Sequence, residues 1–554
     1  MEGKHREEMR EEGGISRRSF LGSALAVAAG TAALGLSACA DGAAAADKDS
    51  TAPHTPVGMP QSWDAEADVV IVGYGGAGGI AAVIAADDGA SVILVEKYPD
   101  DTATEIRHVP SSRFCGGICV CARDAKEGSE ALYELSFGTT PRAVCDVWGE
   151  GATHNVEFWN SLGAEYPEPT WDVGEYPELP GGHTIGTSRV EGGGPRMFQV
   201  LRQNVIDRAD KIQVMYETAG KRLIQNEETK EIVGVVATAK DGKELNIKAK
   251  KAVALCTGGF EWNEEMKQNF LRGYPSWFYT NPNNTGEGIL MGQAVGGALW
   301  HMNAISARAI PYHPDWPKGT QIGLQLPNLF VNRYGKRWFY EREWPSHNAW
   351  VEFVNFNSRT AEYESSPAWV IYDDTARKPL ISPQSKGFLG DTKDLQYWGP
   401  EDMRDIEAAV SKGWIRRGNT PEELAAEIVK DKENAGRMTP EALADTIARF
   451  NEFCAKGVDE DFDREADSLI PLATPPFYAV KVYPGGPNTQ GGLKKNEKGQ
   501  VMNPFDEPIK RLYCAGENGS VYGFLYPTGG GNVCEMTIFG QVIGHAMAAE
   551  TAWE

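Results

Sequence analysis

The first residues in this chain whose types and spacing indicate chemistry are three glycines. Gly73, Gly75 and Gly78 follow a run of Val and Ile residues and have the spacing of a dinucleotide-binding loop. In such a loop the first glycine permits a tight turn, the second lets the backbone approach a pyrophosphate, and the third lets the next helix pack on the strand. A second strand-like run, 91–95, ends in Glu96, where a ribose-binding carboxylate is expected. The pattern predicts a dinucleotide site, with the phosphates at a helix N-terminus.

The elements that position this loop are predicted from hydrophobic patterns and turn residues. Strand-like runs and Gly-rich turns continue to about residue 302, where a segment with capped helices begins. In that segment Thr420, Pro421 and Glu423 form a capping box, and Thr439 precedes a helix with one apolar face. Residues 329–338 are interpreted as strand, turn, strand. The remaining predicted strands are 212–216, 232–237 and 252–256, and the remaining predicted helices are 80–86, 289–295 and 533–549.

Size, charge and cysteine spacing limit the function classes. The 554 residues are too many for one core, so two or more domains are expected, and the net charge of −23 argues against nucleic-acid binding and a polybasic membrane patch. No CxxCH motif for covalent haem occurs. Cys115, Cys119 and Cys121 could ligate an iron–sulfur cluster, but their spacing fits no common site, so we interpret them as packing side chains. The acidic run 459–464 lacks the glycine of a calcium loop, and no metal is predicted.

Residues 1–46 are interpreted as a targeting segment. Twin arginines within 16–21 precede a short Ala-rich apolar run, a pattern typical of a Tat signal, whereas a transmembrane anchor is the alternative. The run ends in a lipobox-like sequence that would make Cys39 a lipidated N-terminus, and ordinary cleavage within 43–46 is the other interpretation. Residues 47–63 form a linker. We therefore expect export to the periplasm or cell surface, with the membrane contacted only through a lipid anchor at Cys39.

The order of the later motifs resembles the fumarate reductase/succinate dehydrogenase flavoprotein family, which includes flavocytochrome-type fumarate reductases and 3-ketosteroid dehydrogenases. The family's GGNS…GG, ATGGF, TGDG and GLYAAGE motifs match residues 111–117, 256–260, 285–288 and 511–517, each with replacements. The resemblance covers about 64–554 and implies that the glycine loop binds FAD.

The resemblance also implies the fold class and the cofactor contacts. It predicts an α/β protein in which a Rossmann-type FAD-binding domain, 64–302 and 478–554, is interrupted by an α+β capping domain, 303–477. The predicted cofactor-binding residues are Gly73, Gly75, Gly76, Ala77, Gly78, Glu96, Lys97, Ser111, Ser112, Gly116, Gly117, Thr257, Gly258, Gly286, Glu287, Glu517, Gly531 and Asn532.

The catalytic residues of the fumarate reductases are mostly replaced in this chain. Aligned on the shared strand and turn, the family's Arg proton donor falls on Pro345, and the acid and Arg of its proton path fall on Gln321 and Leu324. The two carboxylate-binding His positions fall on Asn488 and Arg308. The resemblance therefore disfavours fumarate as a substrate and leaves Arg308 as an anchor for an anion.

The C-terminal stretch is more similar to that of the 3-ketosteroid dehydrogenases. Their G-x-x-Y-P-x-x-G motif matches residues 523–530, and in them a Tyr O–H and a Gly N–H donate to a substrate carbonyl. This implies Tyr526 and Gly530 as the donor pair, since two fixed donors in a dry site stabilise a developing enolate. His347 is the candidate proton donor or acceptor, and Tyr340 is the other. The alternatives are that Tyr526 is a packed tyrosine and His347 a structural histidine.

These expectations define a Tat-exported FAD oxidoreductase. We expect it to reduce a C=C bond conjugated to a carbonyl in a small molecule, by hydride transfer from flavin N5, or to run the reverse dehydrogenation. A separate membrane cytochrome or quinol-linked protein would supply electrons. The alternatives are reduction of an unsaturated carboxylate such as fumarate or urocanate, with Arg308 as anchor, and an exported flavin electron carrier or sensor without a substrate.

Overall fold

The computed structural model describes residues 54–99, 110–316, 319, 326–341, 347, 350–376, 405–434 and 436–553. Residues 47–554 form one compact unit. The predicted signal segment, Cys39 and residues 47–53 of the linker lie outside the described residues, as do Pro345, Gln321 and Leu324. Among the helices of the described part, none has both the length and the apolar composition that a membrane span requires.

The described elements confirm a mixed α/β chain. The helices are α1 (Gly76–Asp87), α2 (Ser111–Phe114), α3 (Ala125–Leu135), α4 (Arg142–Ser161), α5 (Gly193–Ile206), α6 (Glu264–Phe270), α7 (Glu287–Ala294), α8 (Trp350–Phe353), α9 (Ile406–Ser411), α10 (Pro421–Ile428), α11 (Pro440–Lys456) and α12 (Gly531–Ala549). The strands are β1 (Ala65–Val72), β2 (Val92–Val95), β3 (Ile118–Ala122), β4 (Thr170–Trp171), β5 (Ile185–Arg189), β6 (Ile212–Met215), β7 (Thr218–Gln225), β8 (Ile232–Ala239), β9 (Glu244–Leu255), β10 (Trp277–Phe278), β11 (Leu299–Trp300), β12 (Ile305–Pro311), β13 (Asn328–Val331), β14 (Phe356–Asn357), β15 (Glu362–Tyr363), β16 (Ala368–Tyr372), β17 (Ile415–Gly418), β18 (Phe477–Thr489), β19 (Gly492–Leu493), β20 (Gln500–Met502) and β21 (Pro508–Cys514).

A twisted sheet with a parallel core organises the first part of the fold. Its strand order is β20-β21-β9-β1-β2-β6, and the β7–β8 hairpin joins it through β9. β1 runs parallel to β2 and β9, and β2 runs parallel to β6. The central strand β1 is a buried Val/Ile run, as expected for a strand covered on both faces. Parallel pairing brings the ends of β1 and β2 to one edge of the sheet, where the glycine loop and Glu96 follow.

Helix α12 returns the end of the chain to the glycine loop by packing on α1. Gly540 and Gly544 make this contact possible, because a β-carbon at these positions would lie 2.9 Å from Ile80 and 2.7 Å from Ile84. The packing places the N-terminus of α12 beside the first turn of α1, where a β-carbon on Gly76 would collide with Met536. The predicted helix 533–549 is confirmed and begins two residues earlier, at Gly531.

A second sheet forms the cap, and β18 is its central strand. β18 pairs with β10, β12, β16 and β17, and β13 adds to the outer edge of β16. Because β18 ends at Thr489, whose hydroxyl accepts the Phe260 N–H at 3.0 Å, this strand connects the cap to the loop after β9. The returning segment predicted to start at 478 therefore begins as a strand of the cap sheet.

Helical predictions in the cap are confirmed, and one strand prediction is wrong. Thr420 caps α10, and the apolar face of α11 (Leu443, Ile447 and Phe450) packs under β13 and β16. Of the strand, turn, strand expected over 329–338, the first strand and the turn occur, but the residues after Gly335 form no strand. The reason is that Arg337 turns inward as an ion-pair partner of Glu341 and Asp459 rather than pairing along a sheet edge.

Candidate functional site

The glycine loop has the tight geometry expected of a phosphate cradle. Gly73 has a left-handed φ of 103°, and its N–H donates to the Val95 carbonyl at 2.8 Å. A β-carbon on Gly73 would collide with the Cys256 carbonyl, and one on Gly78 would collide with the Gly73 carbonyl. Gly75 is different: a β-carbon there would have Pro110 as its nearest neighbour at 3.8 Å, so this glycine leaves space above the N-terminus of α1. That space is where anionic groups are favoured.

Glu96 is held rigidly at the end of β2. One carboxylate oxygen accepts the Tyr74 N–H at 2.7 Å and the other accepts the Tyr98 N–H at 3.0 Å. Burial raises the pKa of Glu96, and these hydrogen bonds oppose that rise. The next residue, Lys97, forms an ion pair with Glu287 at 2.6 Å in the first turn of α7. This ion pair therefore links the end of β2 to the start of α7 beside the glycine loop.

The second group of predicted cofactor residues forms one hydrogen-bonded layer. Ser111 accepts from the Asn284 amide at 3.1 Å, and Thr257 donates to Asn518 at 2.7 Å while accepting the Gly288 N–H at 3.2 Å. Backbone conformation explains several of the glycines, since Gly117, Gly258 and Gly286 have left-handed φ values of 62°, 79° and 79°. Gly116 accepts from Arg189, and Ala77 lies below Gly516, whose β-carbon would be 3.1 Å away.

Two buried carboxyl groups lie at the inner end of this layer. Glu517 accepts from Asn488 at 2.7 Å and from Asn532 at 3.0 Å. Glu261, which is fully buried and which we did not predict, accepts from Asn284 at 2.7 Å. Burial raises the pKa of both carboxyls, and the charge of Glu261 raises that of Glu517 further. At least one of the two is therefore favoured in its neutral form.

Three of the predicted catalytic residues come together beside this layer. The Arg308 guanidinium lies 2.7 Å from Nε2 of His347, and the His347 ring lies 5.0 Å from the Tyr526 ring. The Tyr526 hydroxyl accepts the Asn532 N–H at 2.7 Å, in the first turn of α12. Gly530, the predicted second donor, caps that helix with a left-handed φ of 103°.

Neighbours of the tyrosine account for its fixed position. Tyr526 is buried, and its ring packs on Tyr522 with centroids 5.2 Å apart. A β-carbon on Gly531 would lie 2.8 Å from the Tyr526 ring, so only glycine lets the ring approach the helix start this closely. Burial raises the pKa of Tyr526 well above its usual value, which keeps the hydroxyl protonated.

The sequence did not reveal Glu175, which completes the cluster. Its carboxylate accepts the His347 backbone N–H at 2.9 Å and contacts Nδ1 of the ring, and its own N–H donates to the Pro527 carbonyl at 3.0 Å. Glu175 lies in an irregular segment between β4 and β5 with no motif around it. Glu175 and His347 are 172 residues apart in the chain. No pattern in a single sequence predicts a contact between residues so far apart.

The remaining predictions lie outside the chain of contacts that joins Arg308, His347 and Tyr526. Tyr340 donates to Glu465 of the cap. Asn488, which replaces a carboxylate-binding His, donates to Glu517 and so serves the cofactor layer. Cys119 and Cys121 are buried in β3, and within the described ranges no group of residues is arranged to hold a metal ion.

Comparisons with known proteins identify the family. Residues 68–533 match the family model described as FAD binding domain. The chain belongs to this family. Digoxin reductase of Eggerthella lenta is 26% identical over 98% of this flavoprotein and 98% of its own length. The cytochrome fumarate reductase of Shewanella frigidimarina is 27% identical over 90% of the flavoprotein and 78% of its own length.

Solved structures agree on the fold. The 3-ketosteroid delta1-dehydrogenase of Sterolibacterium denitrificans superposes with a TM-score of 0.72 at 22% identity, covering 87% of the flavoprotein and 99% of that chain. An open flavocytochrome c3 fumarate reductase superposes with a TM-score of 0.64 at 23% identity, covering 88% and 79%. The flavoprotein is thus an FAD-dependent oxidoreductase of the fumarate reductase/ketosteroid dehydrogenase family, whose reductases and dehydrogenases act on CH–CH groups.

The polar groups of the site fit FAD. The Ser112 hydroxyl and the Asn532 side-chain oxygen are buried and have no hydrogen-bond partner among the described residues. Buried polar atoms without a partner are costly unless a ligand satisfies them. Ser112 lies beside Gly76 at the start of α1, and Asn532 lies in the first turn of α12. Both atoms therefore suit polar groups of FAD. Glu96 suits the ribose of the same cofactor.

Proposed function

We propose that this protein is an exported reductase of small neutral molecules that carry a C=C bond conjugated to a carbonyl. The observation that carries the proposal is the buried Tyr526 hydroxyl, held by the Asn532 N–H beside His347 and Arg308. Burial raises the pKa of Tyr526 and keeps the phenol protonated. A neutral phenol so placed can donate to a substrate carbonyl.

The residues of the cluster divide the chemistry as follows. When bound, FAD supplies a hydride equivalent for the β-carbon of the substrate. Tyr526 and the Gly530 N–H stabilise the negative charge that develops on the carbonyl oxygen, as two fixed donors in a buried site do. Arg308 places a cation in the cluster and donates to Nε2 of His347. Reduction is completed by a proton from water at the α-carbon. In the reverse dehydrogenation the proton returns to water and the hydride to oxidised FAD.

Charge balance favours a neutral substrate over a carboxylate. Arg308 is the cation of the cluster, and the Glu175 carboxylate is its counter-charge through His347. The positive charge of Arg308 is therefore already balanced by Glu175, and a substrate carboxylate would add a second negative charge beside it. Relatives of both kinds exist, a 3-oxosteroid 1-dehydrogenase of Mycolicibacterium smegmatis and the fumarate reductases. Reduction of an unsaturated carboxylate is the second candidate, because Arg308 can hold an anion.

Export and an external electron donor are parts of the same proposal. The twin arginines of residues 16–21 support Tat transport, which carries folded, cofactor-loaded proteins, and Cys39 supports a lipid anchor. Because no haem motif occurs in the sequence, a membrane cytochrome or quinol-linked protein would deliver the electrons. Cell fractionation of wild type and of an Arg17→Lys/Arg18→Lys variant tests export: loss of the extracytoplasmic protein in the variant is expected.

The function is tested by anaerobic reoxidation of the reduced flavin. Protein lacking residues 1–46 is reduced with a viologen and mixed with enones, unsaturated lactones, fumarate or urocanate. Rapid reoxidation by the neutral enones supports the proposal, and reoxidation by the acids alone, lost in Arg308→Ala, supports the second candidate. Flavin that no member of the panel reoxidises would point to the electron carrier or sensor.

A further inference from the structure

The Glu175 side chain is 16% exposed and contacts the His347 ring, and no sequence motif accounts for it. We propose that Glu175 is a positioning and specificity-determining residue, whose carboxylate fixes the proton of His347 on Nδ1 so that Nε2 orients Arg308, and whose charge makes the site select neutral carbonyl compounds over carboxylates. The inference rests on the proposed function. It concerns the residues that position Arg308 and not the bond that is reduced.

The hydrogen-bond directions around His347 determine its tautomer. A guanidinium can only donate, so Nε2 of His347, 2.7 Å from Arg308, must present a lone pair. A carboxylate can only accept, so Nδ1, which contacts Glu175, must carry the hydrogen. The two requirements agree on one neutral tautomer. His347 is therefore an acceptor that fixes the guanidinium, and in this state it has no hydrogen to give on the Arg308 side.

Backbone contacts make Glu175 the junction of three segments of the chain. The Glu175 N–H donates to Pro527, next to the catalytic tyrosine, and its carboxylate also accepts the His347 N–H. The His347 carbonyl in turn accepts the Ala307 N–H at 2.6 Å, next to Arg308 on β12. The segments of Tyr526 and His347 are thus held directly to Glu175, and the segment of Arg308 is held through His347. A change at Glu175 reaches the cluster without touching the substrate.

The ionisation of the cluster follows from the same contacts. Burial would raise the pKa of Glu175, but His347 and Arg308 outweigh it and the pKa is lowered. Burial and the charge of Arg308 lower the pKa of His347. Among the described residues, Glu175, His347 and Arg308 thus contribute one anion, one neutral imidazole and one cation, and their charges balance. A neutral carbonyl compound keeps that balance, whereas a carboxylate adds an anion to it.

Glu175→Gln removes the charge and reverses one donor while keeping the size of the side chain. The amide oxygen can accept from only one of the two His347 groups at full geometry, so the amide N–H₂ faces Nδ1 or the backbone N–H. If it faces Nδ1, the imidazole hydrogen moves to Nε2 and two donors oppose each other at Arg308. Glu175→Asp retains the charge and the acceptor. Glu178→Gln, at an exposed position of the same segment, is the matched control.

The positioning claim is tested without substrate, on the holoenzyme labelled with ¹⁵N-histidine. The ring nitrogen shifts of His347 are assigned by their loss in His347→Gln. We expect the neutral Nδ1–H tautomer in wild type, Glu178→Gln and Glu175→Asp, and a changed tautomer or a tautomer mixture in Glu175→Gln. An Nε2–H or charged ring in wild type at neutral pH, or an unchanged tautomer in Glu175→Gln, overturns the claim.

The specificity claim is tested by ligand binding to the oxidised holoenzyme, read from flavin difference spectra. The probes are cyclohex-2-enone and fumarate. We expect Glu175→Gln to shift the ratio of the two dissociation constants towards fumarate by about tenfold, equivalent to about 1.4 kcal/mol, while Glu178→Gln leaves it unchanged. An unchanged ratio in Glu175→Gln overturns this claim. If wild type binds neither probe and no member of the panel reoxidises the flavin, both the specificity claim and the proposed function fail. The tautomer measurement still decides the positioning claim in that case.

Discussion

Replacing Tyr526 by Phe removes one oxygen from the centre of the proposed site. The ring keeps its contacts with Tyr522 and His347, so the change leaves the shape of the site intact. The substrate carbonyl loses one of its two donors. Loss of one such preorganised donor lowers a rate constant about a hundred- to a thousandfold, or by about 2.7–4 kcal/mol in activation free energy.

The same substitution has a cost in stability that must be separated from its effect on the rate. The Asn532 N–H loses the acceptor that it has at 2.7 Å. A buried donor without an acceptor costs about 1–3 kcal/mol of folding free energy. Tyr522→Phe is the matched control, because the Tyr522 hydroxyl donates to the Gly531 carbonyl at 2.7 Å and accepts from Trp148 at 3.1 Å. Tyr522 is also buried, and both of these hydroxyl hydrogen bonds are made within the protein.

The assay is stopped-flow reoxidation of the reduced flavin by an enone that wild type accepts, together with thermal unfolding of both variants. We expect similar losses of stability in the two variants, and a rate loss of about a hundredfold or more in Tyr526→Phe only. Equal rate constants in Tyr526→Phe and wild type would refute the reasoning, since the hydroxyl would then be a packing group. Equal rate losses in both variants would assign the effect to disturbed packing at the start of α12.

Four further changes test other parts of the structure. Arg308→Ala should weaken binding of fumarate more than that of an enone, as measured by flavin difference spectra, because only the acid needs a cation; equal losses would contradict this. Glu96→Ala removes the carboxylate expected on the FAD ribose. A hydrogen bond to a charged group is worth about 1.5–3 kcal/mol, so FAD affinity measured by fluorescence titration should fall at least tenfold (about 1.4 kcal/mol). Asp459→Asn breaks a buried ion pair and should cost about 3 kcal/mol in denaturant unfolding, whereas Asp461→Asn, in an exposed pair, should cost about 0–1 kcal/mol. Burial raises the pKa of Glu261 from 4.5 to about 7, so between these pH values the folded state holds a proton that the unfolded state releases. Stability should therefore fall as pH rises from 4.5 to about 7, and a Glu261→Gln variant should show a flatter dependence of its melting temperature over this range.

The dinucleotide part of the site was predictable because its signals are local. The glycine spacing, the strand before it and Glu96 after the next strand form one βαβ unit, and adjacent parallel strands bring their ends together. The same holds for the caps of α10 and α11, where a threonine and a proline specify the helix start. The resemblance extended this to FAD as the cofactor, which the family match confirms.

The cap could be predicted less well, because its order depends on pairing between distant segments. β18 contains residues expected in the returning FAD segment, yet it lies at the centre of the cap sheet and pairs with strands from four other regions. Arg337 shows the opposite case: a residue in a strand-like pattern leaves the sheet because Glu341 and Asp459 are buried beside it. Periodicity reports which residues face a core, and it does not report which segments pair.

By itself, the sequence determined the cofactor class, the phosphate loop and the short set of side chains from which a catalytic group could come. Only the tertiary structure decided which of those side chains meet. Arg308 and His347 are 39 residues apart in the chain, and His347 and Glu175 are 172 apart. Their contact depends on how β12 pairs with β18 and on where the segment after β4 crosses Pro527. A hydrogen bond requires partners within about 3 Å and in the right direction, and the chain order of distant residues carries no information on either.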